Sequence, residues 1–67
     1  MDDKQHQELK VHMQTRAESL SKKKRFSQQD IKFEQELAEE ELGFRVSYAT
    51  IYDEFYWNNL IRNRYGE

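Results

Sequence analysis

A chain of 67 residues with no cysteine holds one domain at most, and it excludes disulfides and Cys-ligated zinc. Hydrophobic and charged residues each make up 36%, so much of the core must come from a few large side chains, among them one Trp, four Tyr and four Phe. The net charge of −2 argues against general coating of nucleic acid, yet it is unevenly spread. Residues 1–26 carry seven Lys/Arg and four Asp/Glu, net +3; residues 27–44 carry one Lys and six Asp/Glu, net −5; residues 45–67 balance. No apolar run is long enough for a membrane span, and the acidic Met1-Asp2-Asp3 start does not suit a signal peptide. No membrane association is therefore expected, and a cytoplasmic location is.

The first helix is expected over about residues 3–20. Leu9, Met13, Ala17 and Leu20 recur at helical spacing and draw one narrow apolar stripe. Asp2 and Asp3 suit the positive end of the helix dipole, and Lys22-Lys23-Lys24-Arg25 suit the negative end. A stripe this thin requires docking against the rest of the chain.

A second helix is expected over about 28–42. Ser27 reads as its N-cap, Asp30 as the acidic N3 residue of a capping box, and Phe26 with Ile31 as a hydrophobic staple. Gly43 tolerates the left-handed conformation that ends such a helix. Ile31, Ala38 and Leu42 line one strip and Phe33 and Leu37 another, with Glu34 and Glu41 between them. This pattern fits either a helix with two neighbours or a local irregularity. Glu34, Glu36 and Glu39-Glu40-Glu41 read as a solvated acidic face, or as a surface for a basic partner.

A third helix is expected over about 48–57, with Ser47 as N-cap and Val46 with Ile51 as the staple. Tyr48, Ile51, Tyr52 and Phe55 share one face. Asn58-Asn59 are expected to end the helix, leaving a short extended tail or a frayed turn. Residues 1–67 thus read as a single all-α domain of three helices. Its expected core is Leu9, Met13, Leu20, Phe26, Ile31, Leu37, Ala38, Leu42, Phe44, Val46, Ile51 and Phe55. The short link from Leu42 to Ser47, with Gly in the bend, gives the last two helices a helix-turn-helix-like form.

Gly43-Phe44-Arg45-Val46-Ser47-Tyr48-Ala49-Thr50-Ile51 resembles the turn and recognition helix of the winged-helix DNA-binding domain of bacterial arginine repressors. The capped, Glu-rich second helix is also similar, and the resemblance covers about residues 26–60. It implies a DNA-binding transcriptional regulator. The second helix is about three residues longer than in that family, and Tyr52-Asp53-Glu54 stand where those repressors have Ser-Arg-Asp. The wing is missing or reduced to residues 60–66. The sequence has no counterpart of the arginine-binding domain, so arginine sensing is not implied.

Two functions follow as expectations. In the first, the chain binds duplex DNA, as a homodimer if one short module buries too little surface. Arg45 and Ser47 would contact phosphates, Tyr48 and Thr50 would reach base edges, and Lys22, Lys23, Lys24 and Arg25 would clamp phosphate. In the second, the acidic surface and the would-be recognition residues Asp53-Glu54 bind a protein partner, with Tyr56 and Trp57 as the contact. His6 and His12 are six residues apart, on different sides of a helix, so no metal site is expected. No nucleophile–base pair, Gly-rich phosphate loop or carboxylate dyad has a recognisable setting, so neither catalysis nor a cofactor is expected.

Overall fold

A computed structural model describes residues 1–66, and each of its three helices begins on a side-chain cap. In α1 (Asp3–Leu20) the Asp2 carboxylate accepts from the Gln5 backbone N–H at 2.8 Å, and the Gln5 side chain accepts from the Asp2 N–H at 3.2 Å. In α2 (Gln28–Leu42) the expected Ser27–Asp30 box is formed. In α3 (Tyr48–Trp57) Ser47 Oγ accepts from the Thr50 N–H at 3.1 Å. These contacts satisfy backbone donors that the first turn of a helix otherwise leaves unpaired.

Three cross-pairs set the packing of the first two helices. Arg16 meets Glu34, His12 meets Glu41, and Lys23 in the connecting loop meets Asp30. The later residues of one helix meet the earlier residues of the other, so α1 and α2 run antiparallel. The third helix packs against both, and Phe55 meets Phe26 edge to face at 5.1 Å between ring centroids. The core is Leu9 and Met13 from α1, Ile31 and Ala38 from α2, Val46 from the turn, and Ile51 and Phe55 from α3. Leu20, Phe26, Leu42 and Phe44 rim it.

Leu37 departs from its expected core position. It is only half-buried and lies outside the core cluster, and its neighbour Phe33 is 60% exposed. The inner strip of α2 is Ile31, Glu34 and Ala38, which turns the Phe33/Leu37 strip outward. Glu34 is therefore not part of a solvated acidic face. It is 2% exposed, and the Arg16 guanidinium neutralises it. The helix is regular and touches two neighbours, so the mixed pattern of its sequence reflects one charged residue on the buried side.

The two turns decide where the surface residues go. Gly43 adopts φ 80°, ψ 16°, and its N–H bonds the Glu39 carbonyl at 2.9 Å. The bend that follows is clamped from both sides: Glu39 Oε2 accepts from the Val46 N–H at 2.9 Å, and Gln35 Nε2 donates to the Val46 carbonyl at 2.8 Å. At the end of α3, Asn59 is left-handed at φ 62°. The Asn59 N–H bonds the Tyr56 carbonyl and the Leu60 N–H bonds that of Phe55, at 3.0 and 2.9 Å, which is a Schellman closure. The reversal carries Leu60 and Ile61 back onto the core rim. Residues 60–66 are a succession of bends and turns, not an extended segment, and no strand occurs among the described residues.

Candidate nucleic-acid interface

Antiparallel packing converts the charge segments of the sequence into poles. The C-terminal end of α1 lies beside the start of α2, so Lys22-Lys23-Lys24-Arg25 gathers there, each residue exposed. The Asp2-Asp3 end of α1 lies toward the Glu36–Glu41 end of α2. Within the basic pole Lys23 pairs with Asp30 at 2.8 Å. That pairing, together with the Ser27 N–H, holds the Asp30 carboxyl below its ordinary value.

The tail returns to this same pole. Tyr65 packs on Tyr48 and Tyr52 of α3, with centroid separations of 5.9 and 5.5 Å, and the latter two are 6.1 Å apart. The Tyr48 hydroxyl is pushed above its ordinary value, mainly by burial, with Tyr52 and Tyr65 adding to it. Gln28, Gln29 and Lys32 of α2 line a shallow cleft of about 470 Å³ with Tyr48 and Tyr65. A smaller hollow of about 290 Å³ adjoins it over Phe26, Ile31 and Ile61. The start of α2, the Tyr48/Tyr52 edge of α3 and the tail thus form one surface that is aromatic and amide-rich.

The eight residues expected to contact DNA do not all share this surface. Tyr48 and the Lys22–Arg25 run lie at the start of α2. Arg45, Ser47 and Thr50 instead border a separate cleft of about 580 Å³ with Met1, Gln35 and Glu39. Arg45 thus lies by the bend that Gln35 and Glu39 clamp, outside the cleft of Tyr48 and Tyr65. Thr50 is further committed, because its hydroxyl lies 2.8 Å from Ser47 Oγ.

A groove of about 510 Å³ runs between α1 and α3, lined by His6, Lys10, Gln14, Thr50, Asp53, Glu54, Trp57 and Asn58. Burial pushes the Glu54 carboxyl above its ordinary value, against the opposing pull of Lys10 and His6. Trp57 borders α1 there but stays 60% exposed, and Tyr56 packs on it edge to face at 5.0 Å. The Arg64 guanidinium lies 5.5 Å from the Trp57 ring centroid and 3.8 Å from Asp53, so one side of the indole already faces a cation.

Sequence reasoning placed Tyr52 beside Tyr48 on α3 but missed Gln28, Gln29, Lys32 and Tyr65 as members of a common surface. The first three could have been found from their position in the first turns of α2, the first helix of the helix-turn-helix-like pair. Tyr65 could not, because its place depends on the reversal at Asn59. Among the described residues no helix is long and apolar enough to cross a membrane, and no cluster of His, Asp and Glu is arranged to hold a metal. Comparison with family models, curated proteins and solved structures finds no match to the chain.

Proposed function

We propose that this chain is a small cytoplasmic DNA-binding regulator that works by binding rather than catalysis. The observation that carries the proposal is the convergence of Tyr48, Gln28, Gln29 and Lys32 on one surface, with the exposed Lys22–Arg25 run in the connection that leads into α2. In a helix-turn-helix pair the second of the two helices enters the major groove while the first meets the backbone. The start of α2 and the Tyr48/Tyr52 edge of α3 would supply those two parts, and the basic run would supply phosphate contacts whose affinity depends on salt. The likeness of Gly43–Ile51 to arginine repressors supports the same reading. In this arrangement Tyr48 and Tyr52 are the readers, and Arg45, Ser47 and Thr50 reach the duplex only at the far margin.

Fluorescence anisotropy on duplex DNA at low salt tests the proposal. Binding should weaken steeply as salt rises, and Lys24→Ala or Arg25→Ala should each lower the log–log salt slope by about 1. No binding at high micromolar protein would remove the proposal. Sedimentation of the complex would show whether two copies sit on one site, as homodimeric binding requires.

One observation favours a protein partner as a second reading. Phe33 stands 60% exposed beside Leu37, flanked by exposed Glu36 and Glu40, and Trp57 is exposed on another face. Large exposed aromatics near charged residues mark contact surfaces. A partner recovered from cell extract should be lost with Phe33→Ser or Trp57→Ser. Tight DNA binding that is indifferent to both changes would set this reading aside.

A further inference from the structure

We infer that the tyrosine cleft at the basic pole takes an unstacked nucleobase, which directs the protein to single-stranded tails or extruded bases next to a duplex. The inference rests on the DNA-binding reading and adds the class of nucleic acid. Three features of the cleft carry it. First, Tyr65 is 54% exposed and its ring lies steeply inclined to those of Tyr48 and Tyr52 at 5.9 and 5.5 Å, so an aromatic side chain braced by two others stays open to solvent. Second, Gln28 and Gln29 border the same cleft, and each amide offers donors and an acceptor together, which suits the edge of a base. Third, Lys32 lines the same cleft, so a cationic side chain stands within reach of the phosphate of a stacked nucleotide.

A blunt duplex offers such a cleft little, because its bases are already stacked on one another. An unpaired base has both faces free and can stack on an aromatic ring whatever its sequence. The tail carrying Tyr65 is polar, with Arg62, Asn63 and Arg64 all exposed, so it can meet a charged backbone without burying apolar surface.

The test compares three fluorescein-labelled probes of related sequence at fixed low salt: a blunt duplex, the same duplex with a short single-stranded tail, and the tail strand alone. The tailed duplex should bind about tenfold tighter than the blunt one, the size expected for one stacked base. Tyr65→Ala should abolish that difference, and Tyr65→Phe should keep it. Equal binding of tailed and blunt duplex, with no effect of Tyr65→Ala, would overturn the base cleft and leave the duplex reading standing. Binding of the strand alone, without the blunt duplex, would uphold the cleft and remove the duplex reading. No binding to any probe would overturn both. Thermal melting of Tyr65→Ala by circular dichroism controls for folding.

Discussion

The guanidinium of Arg16 grips the carboxylate of Glu34 through two parallel hydrogen bonds of 2.8 Å, from Nε to Oε1 and from Nη2 to Oε2. The carboxylate lies on the inner strip of α2, with its side chain 3% exposed, while the guanidinium side chain remains 32% exposed. The hydrogen bonds to Glu34 raise the Arg16 pKa above its ordinary value. This fork is the principal polar link between α1 and α2, and it stands where an apolar contact would otherwise be.

Removing one partner should cost far more than removing both. Arg16→Ala leaves a buried carboxylate unpaired, which should destabilise the fold by about 2–4 kcal/mol, the lower part of the usual range because solvent reaches the arginine. For a domain this small the whole stability is on the order of 5 kcal/mol. The single variant should therefore be largely unfolded at room temperature in mild urea. The double change Arg16→Met with Glu34→Leu should restore stability to that of the parent or above it. Urea melts followed by Trp57 fluorescence would show this; a double variant weaker than the single one would contradict it.

Glu54 should behave in the opposite sense. Its folded-state pKa is raised, chiefly by burial, above the ordinary value of 4.5. An acid shifted upward binds its proton more tightly in the folded state, so folding is favoured below the unfolded pKa and that advantage is lost as pH rises through the folded pKa. At neutral pH the ionised, half-buried carboxylate therefore works against folding. Glu54→Gln should raise the melting temperature at pH 7, and the gain should vanish as pH falls below about 4.5. A variant that melts lower at pH 7 would mean that Lys10 and His6 outweigh the burial.

The three helices were legible because each carries local signals at its ends: Ser27 with Asp30, Ser47, Gly43 and the Asn58-Asn59 pair. Those signals act within a few residues, so the sequence displays them directly. Glu34 was not legible, because a glutamate turns inward only when a partner on another helix meets it, and nothing near position 34 points to Arg16. Leu37 departs from expectation for the same reason: an apolar residue on α2 reads as inward, but a charge already holds the inner strip. In the candidate site, Tyr48 stands out from its place at the start of α3, but its union with Gln28, Gln29 and Tyr65 needs the packing of α3 on α2 and the path of the tail. Arg45 is assigned to phosphate by its place in the turn before α3, and the structure sets it with Gln35 and Glu39 around a separate cleft.

Asn59 directs that path, and its substitution should show it. A left-handed φ of 62° suits Asn and Gly and is costly for a β-branched residue. Asn59→Gly should change stability by less than about 0.5 kcal/mol, since relief of the left-handed strain is offset by a freer unfolded chain. Asn59→Val should cost about 1–2 kcal/mol and release Leu60 and Ile61 from the core rim. If Tyr65 depends on this reversal, proton spectra of Asn59→Val should lose the contacts between Tyr65 and Tyr52 while the α1–α2 contacts persist. Equal stability of the Gly and Val variants would show that the tail does not rely on the left-handed turn.

His12 offers a substitution that should stabilise the fold. Its side chain is 8% exposed, Nδ1 lies 3.3 Å from Glu41 Oε2, and Nε2 is buried with no hydrogen-bond partner among the described residues. The Glu41 side chain is 56% exposed, so water competes for it and the pair contributes little. The buried nitrogen, by contrast, has lost water without replacing it, and such an orphan costs about 1–3 kcal/mol. Val11 and Leu42 border the same apolar hollow, so a thioether would find suitable neighbours. His12→Met should therefore raise stability by about 1 kcal/mol, after allowance for imperfect packing and the lost Glu41 contact. Glu41→Gln, which keeps the imidazole and weakens only its exposed partner, should shift stability by less than about 0.5 kcal/mol. A loss of stability in His12→Met would show that the imidazole's contact with Glu41 outweighs the unpaired nitrogen.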